Sequence, residues 1–367
     1  MIGLALSGGG SRAMAFHLGC LRALNDLEIL QDVGVLSTIS GGSVIGAYYA
    51  YTPQKSFEEF ERDIRGFLRT GFQGKIMVEL LKPQNLLACG SSFCATRIDG
   101  GIAHLLKREP VLQRFPSRSD LFCNILKSDI FPSLKMDSHR RKDLQVVIGA
   151  CELRTGTAFR FGNSKSGGWR HGQIVSEGID VAFAVAASAA FPILLPTLDR
   201  TFLFDKKGQQ QKHRVVLTDG GVYDNLGLQV LEPGRDSNFS LHNFPCDFLI
   251  ACNAGHGQDS GKEVPWGFLT RVKRSFEVVH RRVQDSTMHR LHHLKSSGSI
   301  KGFVLPYLGQ QDNSLPWKPS MLVPREDVMS YPTDFAAMPE VWIEKLSNRG
   351  EQLTRALVSY YLSDLIS

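Results

Sequence analysis

The sequence has no apolar run long enough to cross a membrane. Its longest such stretch, Val181–Pro196, is interrupted by Ser188 and falls short of the roughly 20 residues that a transmembrane helix needs. Met1–Ser7 is apolar, but it is brief, no basic stretch precedes it and three glycines follow it, so we expect no signal peptide. We therefore expect a cytoplasmic protein whose membrane contact, if it has any, is peripheral.

Cysteine is sparse and shows no pattern. The chain contains seven cysteines, an odd number, with no CxxC pair and no Cys/His spacing of the kind found in zinc sites. This usage indicates a reducing compartment and argues against a disulfide framework or a zinc site. We expect neither a metal nor a cofactor.

Charge of either sign is moderate. Lys and Arg total 42, Asp and Glu total 36, and the formal net charge is +6. Because the basic residues are spread along the chain, we expect no nucleic-acid partner; the mild excess suits an anionic surface better. Apolar residues make up 43%, which is enough for a sizeable core and excludes global disorder.

Two units of strand, glycine turn and helix open the chain. Residues 2–6 form an apolar run before Gly8-Gly9-Gly10, and residues 33–39 form another before Ser40-Gly41-Gly42; a helical pattern follows each turn. Further strands are expected at 144–150, 157–161, 213–218 and 247–252, helices at 266–294 and 339–362, and a polar surface loop at 206–212. The alternation predicts an α/β fold with a mostly parallel sheet.

Ser40 is the first candidate for chemistry. A serine in a sharp turn between a strand and a helix has the context of a nucleophile elbow, which lifts the hydroxyl above the sheet edge. The usual pattern is GxSxG, and Thr38 replaces its first glycine. Ser43 fits worse, because Ile45 stands where the last glycine belongs. The alternative is a turn that only caps the helix.

The segment Gly8-Gly9-Gly10-Ser11-Arg12 is the second candidate. Consecutive glycines after a strand expose N–H groups that form a nest for an anion, with a helix dipole behind them. The anion is a phosphate, a nucleotide or an oxyanion. A P-loop needs a lysine that is absent here, and a dinucleotide fingerprint needs a third spaced glycine. A plain tight turn is the alternative.

Asp219 is the third candidate, directly after an apolar run. A carboxylate at the carboxyl end of a strand lies where α/β sheets bind their ligands, although Asp-Gly-Gly alone is equally a turn signal. Each of the three motifs follows a predicted strand. We therefore expect them to share one edge of the sheet.

Together the motifs resemble the patatin-like phospholipases, a family of Ser-Asp lipid acyl hydrolases. The resemblance covers most of residues 1–230 and rests on four segments in the family's order: Gly8-Gly9-Gly10-Ser11-Arg12, Ser40-Gly41-Gly42, Ala187–Pro192 and Asp219-Gly220-Gly221. Thr38 is the one departure and concerns the packing of the elbow.

The resemblance implies a role for each matching residue. Ser40 would be the nucleophile and Asp219 the base. The oxyanion hole would be formed by Gly8, Gly9, Gly10 and Arg12, and the turns would be supported by Gly41, Gly42, Gly220 and Gly221. The substrate would be a phospholipid or another lipid with a fatty-acyl ester, and no cofactor would take part.

The resemblance also implies an architecture. It is a three-layer α/β fold with a mostly parallel central sheet and helices on both faces. Residues 1–367 would form a single catalytic domain. Within it, about 52–142 would be a cap or helical insertion, and about 320–367 would be C-terminal helices packed on the same domain.

Other hypotheses remain open. His256 follows a predicted strand after Asp219, so the order Ser, Asp, His of an α/β-hydrolase triad is also present. A non-enzymatic module would use Gly8–Gly10 to bind a phosphate or a nucleotide. A membrane-associated protein with a dead site would bind lipid without cleaving it.

The predicted helix at 266–294 is basic and amphipathic. Its apolar residues are Phe268, Leu269, Val272, Phe276, Val279 and Val283, and its basic residues are Arg271, Lys273, Arg274, Arg281, Arg282 and Arg290. Such a helix either lies on an anionic bilayer surface or is an ordinary peripheral helix with a solvated face.

Overall fold

Ten strands form one mixed sheet in the described part of the chain. A computed structural model describes residues 1–139, 141, 143–175, 178–192, 194–257, 261, 264–319 and 321–366, without the side chain of Leu269. The strands are β1 (Ile2–Leu6), β2 (Val33–Ile39), β3 (Gln145–Glu152), β4 (Thr157–Gly162), β5 (Ser166–Gly168), β6 (Gly172–Ile174), β7 (Leu198–Lys206), β8 (Gln209–Asp219), β9 (Phe248–Cys252) and β10 (Gly302–Val304). The helices are α1 (Gly10–Asp26), α2 (Gly41–Tyr51), α3 (Phe57–Thr70), α4 (Gln73–Leu81), α5 (Pro83–Leu105), α6 (Arg118–Asp129), α7 (Val181–Ser188), α8 (Gly221–Asp224), α9 (Phe268–Ser296) and α10 (Glu340–Tyr361).

One half of the sheet is parallel, in the order β10-β9-β1-β2-β3. The register pairs Leu4 of β1 with Leu36 of β2 and with Ile250 of β9. These strands are buried apolar runs, as expected of parallel strands covered on both faces. The two strand–turn–helix units at the start of the chain are confirmed, because α1 follows β1 and α2 follows β2.

The other half of the sheet contradicts the predicted fold class. β3 pairs antiparallel with β4 and with β8, and β4, β5, β6, β7 and β8 pair antiparallel in sequence, so six strands close into an antiparallel barrel. The expectation of a three-layer fold with a mostly parallel sheet was therefore wrong. The physical reason is that β3–β4, β4–β5, β5–β6 and β7–β8 are joined by short hairpins and not by the crossover helices that parallel strands need.

The predicted surface loop at 206–212 was also wrong. β7 and β8 extend through it and pair from Leu198↔Leu217 to Lys206↔Gln209. The two residues between them, Lys207 and Gly208, have φ of 56° and 82°, as in a type I′ hairpin turn. The turn residues are Lys-Gly and not the Asn-Gly or Asp-Gly that usually mark this turn. In the sequence the polar ends of the two strands were therefore indistinguishable from a loop.

Strand β3 joins the two halves of the sheet along a single edge. β2 pairs with β3 as far as Ile39↔Gly149, and β8 continues along the same edge from Ala150↔Asp219. Because β2 runs parallel to β3 and β8 runs antiparallel to it, the carboxyl ends of β2 and β8 meet tip to tip. The residues that follow Ile39 and end β8 are thereby brought together.

Helices α1 and α10 pack backbone to backbone in the main core. A methyl group on Gly19 would lie 1.7 Å from the carbonyl oxygen of Ser347, and one on Gly350 would lie 2.1 Å from that of Phe16. The predicted helix at 339–362 is therefore confirmed as α10.

The region at 52–142 contains the helices α3 to α6, with α3 against α1 and α6 against α7. The division of the chain into one catalytic domain with a cap stays a prediction. Among the described residues, no helix combines the length and the apolar character required to span a bilayer.

Phe204 offers a test of the barrel. It is 1% exposed and packs against Phe159 and His213. We expect Phe204→Ala to lower the free energy of unfolding by about 3–5 kcal/mol in urea titrations followed by circular dichroism, because a buried ring is lost. Gln210→Ala, exposed on the same hairpin, is the control and should change it by less than about 0.5 kcal/mol. Equally small effects would mean that residues 198–219 do not form the barrel wall.

Candidate active site

The three predicted motifs come together at one place. A methyl group on Gly8 would lie 3.2 Å from Cβ of Ser40, and the Ser40 hydroxyl is close enough to the Asp219 carboxylate to favour its charged form. Ser40 is 5% exposed and Asp219 is 3% exposed. The ends of β1, β2 and β8 therefore meet at a common buried point.

Ser40 lies in a strained turn. Its φ is 52° and its ψ is −120°, a conformation that residues other than glycine rarely adopt. A methyl group on Gly41 would lie 2.2 Å from the carbonyl oxygen of Gly10, and one on Gly42 would lie 2.4 Å from that of Leu6. Close packing thus holds the turn, and α2 begins directly after it. This is the geometry of a nucleophile elbow.

Thr38 occupies the position where the usual elbow motif has glycine. A methyl group on Gly46 of α2 would lie 2.5 Å from Cγ2 of Thr38, so Gly46 leaves the space that the threonine fills. The Thr38 hydroxyl donates to the carbonyl oxygen of Val147 at 3.5 Å. The departure from the motif is therefore accommodated between β2 and α2.

Ser188, at the end of α7, ties the elbow to the end of β8. Its Oγ accepts a hydrogen bond from the Ser40 N–H at 2.9 Å, and its carbonyl accepts one from the Gly220 N–H at 3.1 Å. The same Oγ lies 2.8 Å from Oγ of Ser43, so the hydroxyl of this competing serine is paired in the core. The segment 187–192, one of the four segments that resemble the family, thus positions the turn at Ser40 and the turn at Gly220.

Gly8, Gly9 and Gly10 form the turn between β1 and α1. The φ angles of Gly9 and Gly10 are 142° and 60°, which glycine adopts readily. The Gly8 N–H donates a hydrogen bond to the carbonyl of Asn225 at 3.1 Å and is therefore not available to bind an anion. No hydrogen bond between described residues uses the N–H groups of Gly9 and Gly10. Two backbone donors at a helix N-terminus thus lie beside the Ser40 turn, where they suit a developing negative charge.

Arg12 lies behind the glycine turn. Its Nε donates to the carbonyl of Ala254 at 3.1 Å and its Nη1 to that of Tyr331 at 3.0 Å. Burial lowers the pKa of Arg12 to about 10. The motif assigned Arg12 to the oxyanion hole, whereas these contacts fasten the start of α1 to the loop after β9 and to the loop before α10.

Asp219 is an unusually basic aspartate. Burial raises its pKa to about 6, while the nearby Ser40 hydroxyl and a hydrogen bond from the Gly221 N–H, at 2.7 Å, favour the charged form. A methyl group on Gly220 would lie 2.2 Å from the carbonyl oxygen of Gly149, and one on Gly221 would lie 2.9 Å from Oδ1 of Asp219. The backbone of β3 therefore requires glycine at position 220, and a side chain at position 221 would press on the Asp219 carboxylate.

His256 lies in the loop after β9, half-buried and beside Gly309. The Asp219 carboxylate accepts a hydrogen bond from the Gly221 N–H, the Ser40 hydroxyl lies beside it, and among the described residues no histidine contributes to its pKa. The structure therefore places Ser40 beside Asp219, and no described imidazole acts on the carboxylate.

Helix α9 passes over the end of β8, which the sequence did not indicate. His280 lies near the backbone of Gly221, and burial lowers the pKa of His280. Phe276 stacks on the His280 ring at 5.9 Å and contacts Phe191 at 6.5 Å between ring centres. No local motif marks His280, because its proximity to Asp219 arises only when α9 folds across α8.

The raised pKa of Asp219 leads to a prediction about stability. An aspartate in an unfolded chain titrates near ~3.9, and Asp219 in the folded protein titrates at about 6. The folded state thus binds the proton more tightly, so wild-type stability falls as pH rises from about 4 to about 6 and stays lower above that range. Asp219→Asn removes this loss. We expect the variant to gain about 3 kcal/mol relative to wild type across that interval, measured by thermal unfolding between pH 4 and 8.

Asp364→Asn, which removes a carboxyl group at an exposed position, is the control for this titration. A constant difference between Asp219→Asn and wild type across the interval would contradict the raised pKa.

Solved structures share this fold at low sequence identity. Human GIVD cytosolic phospholipase A2 is 13% identical, with a TM-score of 0.56 over 100% of this chain and 60% of that chain. The same human enzyme in complex with methyl gamma-linolenyl fluorophosphonate is 16% identical, with a TM-score of 0.54 over 100% of this chain and 58% of that chain. This chain thus spans about 60% of the length of the human enzyme.

A family comparison goes further than the fold. No curated protein matches the chain significantly. The profile of the patatin-like phospholipases, however, matches residues 4–231, which is more than half of the chain and includes the glycine turn, the elbow and the end of β8. The chain belongs to the patatin-like phospholipase family.

Proposed function

We propose that this protein is a hydrolase that cleaves fatty-acyl ester bonds of phospholipids or related lipids, with Ser40 as nucleophile and Asp219 as base. The observation that carries the proposal is the position of the Ser40 hydroxyl beside the buried Asp219 carboxylate, next to two N–H groups that no hydrogen bond between described residues uses. Membership of the patatin-like phospholipase family supports a lipid ester as the substrate class.

Acyl transfer begins when Ser40 Oγ attacks the ester carbonyl carbon. The Oγ–C bond forms, the carbonyl electron pair moves onto oxygen, and the Ser40 proton passes to the Asp219 carboxylate. An aspartate with an ordinary pKa is a poor base for an alcohol, so the rise to about 6 caused by burial assists this step. Protonated Asp219 then gives its proton to the leaving alcohol as the ester C–O bond breaks.

The oxyanion of this step needs hydrogen-bond donors that are already in place. The N–H groups of Gly9 and Gly10 meet that need, since they lie at the N-terminus of α1 and beside the Ser40 turn. In other hydrolases the loss of one such donor costs about 2.7–4 kcal/mol of transition-state stabilisation. We therefore assign a large share of the rate to the glycine turn and a positioning role to Arg12.

Hydrolysis of the acyl-enzyme reverses these roles. Asp219, again a carboxylate, accepts a proton from water while the water oxygen attacks the acyl carbon. The bond from this carbon to Oγ then breaks, the fatty acid leaves, and the proton held by Asp219 returns to Ser40. The cycle needs no cofactor.

The first half of α9 supports peripheral contact with an anionic membrane. Trp266, just before the helix, and Phe268, its first residue, are 85% and 71% exposed, and Arg271 and Arg282 of the helix are also exposed. Exposed aromatic and basic side chains on one helix are typical of segments that lie in the headgroup layer. His280 of the same helix lies near the end of β8, so α9 connects this exposed segment to the region of Asp219.

The cellular setting proposed for this activity is the cytoplasm, at the surface of a membrane. All seven cysteines are free, which supports a reducing compartment. We also propose that residues 1–367 act as one catalytic domain, since α10 packs against α1, the helix that begins at the glycine turn.

The dyad is tested by Ser40→Ala and Asp219→Asn. Each should lower kcat for fatty-acid release from phospholipid vesicles by about 10⁴-fold or more, because the nucleophile or its base is lost. Ser128→Ala, at an exposed position of α6, is the control and should retain activity. An alkyl fluorophosphonate should label the peptide that contains Ser40. Full activity of Ser40→Ala in a protein with a wild-type circular dichroism spectrum would refute the proposal, and a label on Ser43 would move the nucleophile.

His256→Ala separates the dyad from a triad. The dyad predicts a kcat within a few-fold of wild type and an unchanged pH profile. A loss as large as that of Asp219→Asn would assign the base to His256.

Membrane contact is tested by Arg271→Gln combined with Arg282→Gln. Each basic residue near an anionic surface contributes about 1 kcal/mol, so binding to phosphatidylserine-containing vesicles should weaken about 10- to 30-fold in sedimentation assays. Raised salt should weaken wild-type binding in the same direction. Lys55→Gln with Arg62→Gln removes the same charge from an exposed part of another surface and is the control. Equal losses in both double variants would contradict a role for α9.

A further inference from the structure

His17, Cys20 and Cys252 form a buried cluster that the proposed hydrolysis does not use. One ring nitrogen of His17 and the Sγ atoms of both cysteines all lie within 4.8 Å of one another. His17 and Cys20 stand one helical turn apart on α1, and Cys252 ends β9. Their exposed fractions are 0%, 0% and 1%. The cluster therefore lies within the core.

The imidazole of His17 is arranged as in a metal ligand. Its Nε2 lies 3.0 Å from the carbonyl oxygen of Ser7. Because a carbonyl only accepts hydrogen bonds, Nε2 carries the ring proton and Nδ1 presents a lone pair. Nδ1 is buried and has no hydrogen-bond partner among the described residues. Histidines that bind metals characteristically donate one N–H to a carbonyl or carboxylate and bind the ion through the other nitrogen.

The donor set indicates which ion would fit. Two sulfurs and an imidazole nitrogen are soft ligands, which argues against Ca²⁺ and Mg²⁺ because these ions take oxygen ligands. Structural Zn²⁺ sites have four protein ligands, whereas three side chains gather here in the part of the chain that the structure describes. Cu(I) prefers sulfur ligands and accepts a low coordination number.

We propose that Nδ1 of His17 and Sγ of Cys20 and Cys252 bind one Cu(I) ion in a three-coordinate site. Each donor forms one bond to the ion, each thiol releases its proton to solvent on binding, and no electron is transferred. The proposal does not depend on the hydrolytic function.

The ion would stabilise the glycine turn through Ser7, the residue that precedes it. Ser7, the residue before Gly8, donates its N–H to the carbonyl of Cys252 at 3.1 Å, and its own carbonyl accepts the hydrogen bond from His17. A metal that joins α1 to β9 therefore holds Ser7 from both sides. Because the ion binds the folded state, it should raise the melting temperature.

The test uses the full chain with Cys89→Ser, Cys94→Ser and Cys123→Ser, which removes the three cysteines that are not buried. This parent is produced in copper-supplemented cultures and, separately, without copper and then incubated anaerobically with Cu(I) buffered by bicinchoninate. We expect one Cu(I) per chain, a higher melting temperature, and an X-ray absorption spectrum with two sulfur neighbours and one nitrogen neighbour. Absence of bound copper in both preparations would overturn the site.

Matched variants in the parent assign the ligands. Cys20→Ala with Cys252→Ala, and separately His17→Phe, should lose the ion. Cys151→Ala with Cys246→Ala removes the other two buried cysteines and should retain it. Copper kept by the first double variant, or lost equally from the control, would refute the assignment. If the ligand variants fail to fold, the test depends on the triple Cys→Ser parent alone. An X-ray absorption spectrum of this parent that shows any other ligand set would refute the proposal. Binding of Zn²⁺ in preference to Cu(I) would also refute it.

Discussion

The candidate site depends on two backbone turns that approach more closely than side chains allow. A methyl group on Gly41 would lie 2.2 Å from the carbonyl oxygen of Gly10, so the Ser40 turn rests directly on the turn that offers the N–H groups of Gly9 and Gly10. This contact gives the hydroxyl its place beside the donors. A side chain at Gly41 would push the two turns apart. In the proposed mechanism the oxyanion formed at the displaced serine would then lie out of reach of the N–H groups.

Strand pairing supplies the second constraint. The sequence correctly predicted that Ser40 and Asp219 lie close together, but it predicted the wrong strand arrangement to bring them there. Ser40 and Asp219 do lie together, as the motifs predicted. They were expected to share one edge of a parallel sheet, but Asp219 arrives on an antiparallel barrel strand that meets β2 tip to tip along β3. A glycine turn and a strand end are local features that a motif can specify. The direction of β8 depends on the pairing of Ala150 with Asp219, which no local pattern records.

The features that the sequence missed share this origin in long-range packing. Lys207 and Gly208 form a type I′ turn without the usual asparagine or aspartate, so the hairpin had no signal of its own. His280 reaches Gly221 only because α9 crosses α8. His17 and Cys20 can be placed on one helix face by their spacing. Cys252 joins them only through the pairing of β1 with β9, so no cysteine spacing could reveal the cluster.

The basicity of Asp219 depends on helix α9, which covers the end of β8. Its pKa of about 6 arises first from burial, and α9 lies over the end of β8 through His280 and Phe276. A rearrangement of α9 that admitted water would bring this pKa back toward its ordinary value and weaken the base. A substrate must therefore reach Ser40 while the carboxylate stays dry. In the proposed reaction an acyl chain would meet this requirement, because it would bring apolar atoms and not water to the carboxylate. We infer that a lone carboxylate suits a lipid ester for this reason: the substrate itself preserves the desolvation on which the base depends.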